Sequence, residues 1–378
     1  MLFGFNSLGA ATFRRINLML FWTRLALTTF LFHPLEGLAW SLRRRLFQHE
    51  GYQFSVRTLP KVALLIIQSV WQAYFGRRVE QRFGAQIAET VVVAPVFILG
   101  HYRSGTTHLH ELMSLDPRFA SPTRFQAYHP RSFLTTERWI AKINDLFMLP
   151  RRVQEDEIAL MNLSGMSPYL DWCFPESTID YSKYLTFRRA EPHEATAWQE
   201  SLLWYLRALT IRYRRTILLK SPPHTARVAL ILQVFPDARF VHIRRNPYDV
   251  YVSTVRLLED LDPVFRLRVR REPISVAGVL QTYAEMHTSL FEEIPQIPAG
   301  QFTEIAYENL ETAPMEQLKQ VYHDLDLGDF KSIAPVFAAY LQSIAGYQKN
   351  RHAEIDPATR QRIAERWATA FERWHYPT

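Results

Sequence analysis

The sequence predicts an α/β protein: a P-loop-type parallel sheet flanked by helices, with a helical, membrane-associated N-terminal extension. Three observations predict it. Short apolar runs alternate with helical spacings from about residue 91 onward. The first of these runs, residues 91–100, ends in a glycine-bounded loop that opens a helix. The first 90 residues are both greasy and basic. The organisation expected is an extension over 1–90 and an α/β domain over 91–378.

The extension carries eleven Lys or Arg against four Asp or Glu, so the whole formal charge of +7 resides there. Basic and apolar together suit anionic lipid headgroups better than nucleic acid. No basic run exceeds Arg43-Arg44-Arg45, and no nucleic-acid motif accompanies it, so no nucleic-acid partner is expected. One cysteine, Cys173, excludes an internal disulfide and a multi-thiolate zinc cage, and suits a reducing, cytoplasmic compartment.

Taken in order, Ile16 to Phe32 is a greasy run interrupted by Asn17, Thr23, Arg24, Thr28 and Thr29. A bilayer span needs about 20 apolar residues without a central arginine. The reading is a helix lying in one leaflet, with Arg14, Arg15 and the 43–45 triplet at headgroup level; the alternative is a core helix packed on the α/β domain. Residues 62–74 form a second greasy, helical run too short to span. No small-x-small site follows Phe32, so a cleaved signal peptide is not expected. Residues 91–100 read as a central parallel strand, residues 216–219 and 239–243 as further strands, and 302–306 as a fourth. Between them 225–235 has helical spacing and ends at the Pro236-Asp237 turn. In such folds ligands bind at the carboxyl ends of the strands.

Three loops at those ends carry candidate chemistry. The first is Gly100-His-Tyr-Arg103-Ser104-Gly105-Thr106-Thr107. Its two glycines are spaced as in a Walker A loop, but Thr106 stands where that loop has its lysine, and Arg103 is the nearby cation. Small polar residues at a helix start can present N–H groups to a phosphate. The second is Lys220-Ser221-Pro222-Pro223-His224, which puts a lysine at a strand end. The third is Arg244-Arg245-Asn246-Pro247, with Ser253 about two helical turns beyond Arg245. Arginine's forked donors match phosphate. No Walker-B aspartate ends these strands, which argues against a P-loop kinase or NTPase.

Together the motifs resemble the sulfotransferase superfamily over about residues 91–310. The resemblance implies 3′-phosphoadenylyl sulfate as co-substrate, with no metal. Arg103, Ser104, Gly105, Thr106 and Thr107 would hold its 5′-phosphosulfate, Arg245 and Ser253 its 3′-phosphate, and Tyr307 would lie near the adenine. A late loop, Gly346 to His352 with Lys349 and Arg351, resembles the segment that closes over the donor. Arg103 and Lys220 would stabilise charge on the leaving phosphate, by reasoning parallel to phosphoryl transfer.

The base is less direct. Pro222 stands where cytosolic relatives carry a histidine. The chain is similar over 95–260 to a bacterial group with Gly-His-x-Arg-Ser-Gly-Thr-Thr loops, in which Gln-Glu-Asp-Glu recurs; here that is Gln154-Glu155-Asp156-Glu157, after Arg151-Arg152. Glu155 and Glu157 are the first candidates, His224 the second, and His110, on the first helix, is also a candidate. An acidic cluster is otherwise an ordinary helix start. The acceptor expected is a hydroxyl on an apolar or lipid-linked molecule, with Met161–Phe174 as a pocket wall, or else a carbohydrate hydroxyl. The rival class is a non-catalytic nucleotide-binding membrane protein.

Overall fold

A computed structural model describes residues 33–50, 54, 56–146, 153–344 and 355–378. Five strands form one sheet: β1 (Val96–Leu99), β2 (Phe119–Ala120), β3 (Thr216–Lys220), β4 (Arg239–Arg244) and β5 (Phe302–Ala306). Their order is β2-β3-β1-β4-β5, and every pairing is parallel. After β1 the chain moves to one side for β2 and β3, then crosses to the other for β4 and β5. That reversal makes the carboxyl end of β1 a topological switch point, where α/β sheets open a ligand crevice.

The strands alternate between two cores. Phe97 and Leu99 of β1 join Ile217, Leu219 and Phe240 on one face. Val96 and Ile98 join Leu218, Val241 and Ile243 on the other. All four β1 residues are fully buried, so both faces must be apolar, which explains the unbroken Val-Phe-Ile-Leu run.

The expected strand over 91–100 is shortened to Val96–Leu99. Val91 and Val93 are exposed, Pro95 offers no N–H, and Ala94 turns at positive φ with its N–H held by Asp237 at 2.7 Å. The expected helix over 225–235 divides into a 3₁₀ turn at Pro222–Ala226 and a helix at Val228–Val234. The edge strand β2, two residues long, has no periodicity to reveal it.

Residues 62–74 fall within a helix of 31 residues, Leu59–Glu89. Its inner residues Val62 and Leu65, together with Leu35, Leu38, Leu46 and Phe47, belong to the same core as β1. The Ile16–Phe32 run, Arg14, Arg15, the Arg151-Arg152 pair and the Gly346–His352 loop with Lys349 and Arg351 lie outside the described residues. Among the described residues no helix is long and apolar enough to cross a membrane, and no His, Cys, Asp and Glu cluster could hold a metal ion.

Candidate active site

The loop after β1 is closed by its own backbone. Ser104 donates from both its amide (3.1 Å) and its hydroxyl (2.8 Å) to the His101 carbonyl. Gly100 sits at φ 147°, and a Cβ there would meet the Ile243 carbonyl at 2.7 Å. Gly105, at φ 99°, caps the Thr106–Met113 helix, and a Cβ there would fall on the Tyr307 ring. Both positions therefore require glycine. Arg103 adopts positive φ between them, which turns its side chain out of the loop.

This geometry divides the labour among the expected donor-binding residues. The Ser104 hydroxyl is used inside the loop, and Thr106 is buried beneath it with its methyl near Gly100. Arg103 and Thr107 are exposed. The first-turn amides of the Thr106–Met113 helix have no partner within the helix, and they concentrate partial positive charge. An anion here would thus meet backbone amides and Arg103 in the first place.

The third loop comes to the same place. Asn246 caps the Pro247–Phe265 helix by accepting from the Tyr248 amide at 3.0 Å, which fixes where β4 ends and Arg245 begins. Arg245 donates to the Arg103 carbonyl at 3.1 Å and stacks 4.4 Å over the Tyr307 ring. Arg103 Nε donates to Ser253 Oγ at 2.7 Å. Arg103, Arg245, Ser253 and Tyr307 therefore form one connected cluster at the carboxyl edge of β1, β4 and β5.

The second loop meets the acidic segment. Lys220 Nζ donates to Glu155 Oε1 at 2.6 Å, and the Tyr169 hydroxyl donates to Glu155 Oε2 at 2.5 Å. Asp156 Oδ2 pairs with His224 Nε2 at 2.5 Å, and Asp156 Oδ1 accepts from the Ser221 hydroxyl at 2.8 Å. Glu157 takes two guanidinium bonds from Arg227, at 2.7 and 3.1 Å, and one from the Ser167 hydroxyl at 2.6 Å. Three consecutive acids thus face Lys220, His224 and Arg227 in turn.

The three rungs differ in depth. The His224–Asp156 and Arg227–Glu157 side chains are 0 % exposed, whereas Glu155 is 25 % exposed beside Lys220 at 4 %. Burial alone would raise the Asp156 carboxyl, but the His224 ring and the hydrogen bonds from His224 and Ser221 outweigh it and hold the group below its usual range. Of the four base candidates, Glu155 is the one that faces solvent. Glu157 and His224 are sealed in structural pairs. Burial and then the charge of Lys220 push His110 down to about 3, and its Nε2 engages Ser121 Oγ at 2.9 Å. A proton acceptor has to reach the acceptor hydroxyl, and burial denies that to these three.

Two residues with no sequence signal complete the site. Tyr169 orients Glu155 and stacks on Trp172 at 4.3 Å. Arg227 is clamped between Phe187 and Trp198 and also donates to the Tyr184 carbonyl at 2.5 Å. A cavity of about 420 Å³ opens beside the first loop, lined by Tyr102, Trp172, Leu258, Leu261 and Val279 and by the charged residues Asp171, Glu176, Asp262, Arg270 and Glu285. Pro168, Asp171 and Trp172 place one end of the Met161–Phe174 segment on its wall, while Met161 is in the core. Burial, then the Asp180 and Glu50 carboxylates, raise Asp171 to about 7 against the pull of Arg270.

Residues 95–331 match the model of the Sulfotransferase family. The chain belongs to that family. It is 34% identical over 309 residues, 78% of each chain, to omega-hydroxy-beta-dihydromenaquinone-9 sulfotransferase Stf3 of Mycobacterium bovis and of Mycobacterium tuberculosis. Among solved structures it resembles sulfotransferase STF9 of Mycobacterium avium, with a TM-score of 0.69 and 18% identity, covering 89% of this chain and 96% of that one. It also resembles sulfotransferase STF1 of Mycobacterium tuberculosis, with a TM-score of 0.61 and 16% identity, covering 87% and 92%. Like other members of the family, the chain is a sulfotransferase, and its parallel sheet is the family's fold.

Proposed function

We propose that this sulfotransferase moves the sulfuryl group of 3′-phosphoadenylyl sulfate to a hydroxyl of an apolar or lipid-linked acceptor, at the cytoplasmic face of a membrane. The observation that carries the reading is the convergence of Arg103, Arg245 and Ser253 on the donor loop, with the Lys220–Glu155 pair at the neighbouring strand end. The first-turn amides and Arg103 take the 5′-phosphosulfate. Arg245 and Ser253 take the 3′-phosphate, and Tyr307, under Arg245, stacks near the base. The donor supplies an already activated sulfate.

Glu155 accepts the acceptor's proton, the acceptor oxygen attacks sulfur, and the bond from sulfur to the 5′-phosphate oxygen breaks. Lys220 and Arg103 stabilise the charge arriving on that phosphate. His224, Asp156, Glu157 and Arg227 hold the Lys220–Glu155 pair in place from below.

Two features support an apolar acceptor. One wall of the cavity is apolar, built from Tyr102, Trp172, Leu258, Leu261 and Val279, and it adjoins Arg103 through Tyr102 and Glu155 through the Trp172–Tyr169 stack. The relatives of 34% identity act on a menaquinone derivative. Donor-dependent transfer of labelled sulfate into pools of lipids, steroids, phenols and glycans tests the reading. Label is expected in material that extracts into organic solvent; label confined to glycans, or magnesium-dependent ATP turnover instead, would overturn it. Arg245→Ala should raise the Kd for adenosine 3′,5′-bisphosphate by about ten- to a hundredfold, the loss of a charge-assisted contact. Calorimetry reads this directly, and an unchanged Kd would remove Arg245 from the donor site.

A further inference from the structure

The helix Leu59–Glu89 is apolar on two faces. Its inner face buries Val62, Leu65, Val79 and Ile87, along with Lys61, Ser69 and Gln72. A surface helix normally turns polar residues outward. This one presents Leu59, Ile66, Ile67, Val70, Trp71 and Tyr74, with Ile67 67% and Val70 62% exposed. At about 100° per residue these six fall within an arc of about 140°.

The order of residues along that arc is informative. Aliphatic side chains occupy 59–70, the aromatics Trp71 and Tyr74 follow, and the exposed arginines Arg77, Arg78 and Arg82 continue the same face. Arg78 already leans on the Tyr74 ring, 5.2 Å from its centroid. Aliphatic, then aromatic, then cationic is the sequence of environments met on leaving a bilayer: hydrocarbon, interface, anionic headgroups. A second protein surface would require no such gradient. The helix's own acids stand apart, Glu80 off the arc and Glu89 beyond the last arginine.

The geometry points to this face as the membrane-docking surface: the Leu59 end enters one leaflet of an anionic bilayer obliquely, and Arg77, Arg78 and Arg82 anchor the helix at the headgroups. The inference rests on the membrane-peripheral reading above and deepens it, because it assigns the contact to this helix and not to the greasy run before residue 33. Docking here would hold the enzyme against the phase in which an apolar acceptor dissolves.

The test is co-sedimentation of the full chain with vesicles of phosphatidylglycerol and phosphatidylcholine, compared with vesicles of phosphatidylcholine alone. The wild type should bind the anionic vesicles in a salt-sensitive manner. The double variant Ile67→Asp/Val70→Asp should bind about a hundredfold more weakly or worse, since two apolar side chains lose their burial. Replacing Arg77, Arg78 and Arg82 by Gln should reduce binding to anionic vesicles by about a hundredfold and abolish the preference over neutral ones. Melting temperature and affinity for adenosine 3′,5′-bisphosphate should not move, because these residues are exposed and remote from the donor loop. If wild type and the Asp variant bind equally, the docking face is overturned while the membrane-peripheral reading stands. If the wild type binds no vesicles, both fall. A wild-type dimer that the Asp variant converts to monomer would assign the face to a second copy and overturn the proposal.

Discussion

Glu155→Gln should leave adenosine 3′,5′-bisphosphate affinity unchanged and lower turnover by about 10²- to 10⁴-fold, the span of a lost general base. The substitution is nearly isosteric. Its amide oxygen can still accept from Lys220 or from the Tyr169 hydroxyl, which hold the carboxylate at 2.6 and 2.5 Å. The mount therefore persists while the proton acceptor is gone. Single-turnover kinetics with saturating donor separates the two effects. Equal loss in Glu157→Gln would not count as evidence for a second base, because Glu157 is wholly buried against Arg227. Undiminished turnover in Glu155→Gln would reject Glu155 and return the question to groups that reach the cleft.

Arg227→Ala should destabilise the fold by about 3–5 kcal/mol, the range found when one partner of a buried ion pair is removed. The guanidinium has two bonds to Glu157 and others to the Tyr184 and Leu185 carbonyls, and it is stacked by two aromatic rings. Truncation leaves the Glu157 carboxylate buried with only the Ser167 hydroxyl among these partners. Urea unfolding reads the loss, and a change below about 1 kcal/mol would show that the site tolerates the lone charge. The pair Glu157→Gln/Arg227→Met should recover much of the stability, since replacing both charges by groups of similar size removes the uncompensated ion. Turnover of that double variant separates fold from chemistry. If the lower rungs position Glu155, activity stays low after stability returns.

The clustering of Arg103, Arg245, Ser253 and Tyr307 was legible because the motifs that bring them together are local. Gly100, Arg103, Gly105 and Thr107 lie within eight consecutive residues, and Arg245 immediately precedes the cap of the helix that carries Ser253. Strand ends follow from apolar runs, and a parallel sheet brings those ends to one edge. The arrangement of the acidic segment was less legible because proximity there is not local. Glu155 and Glu157 are two residues apart, and nothing in the sequence says that one reaches the cleft and the other is sealed. The difference arises from the pairing of 155, 156 and 157 with 220, 224 and 227, some 65 to 70 residues away. Arg227 and Tyr169 were missed for the same reason. Their spacing relative to Lys220 and Glu155 is visible only once the partner segment is known. Strand β1 was overextended because Val91 and Val93 look like core residues, yet Pro95 and the turn at Ala94 keep them outside the ladder.

The sheet order also constrains how the chain is made. Val96 at the centre registers with Leu218 on one side and Arg239 on the other. The segment bearing the donor loop is synthesised early, yet its neighbours emerge only after more than a hundred further residues. Pairings this distant in sequence slow folding and leave apolar edges uncovered meanwhile. The nascent polypeptide consequently cannot bring Arg103 and Arg245 together until β4 has left the ribosome. An N-terminal fragment ending before that point should be a client for chaperones and not a miniature enzyme.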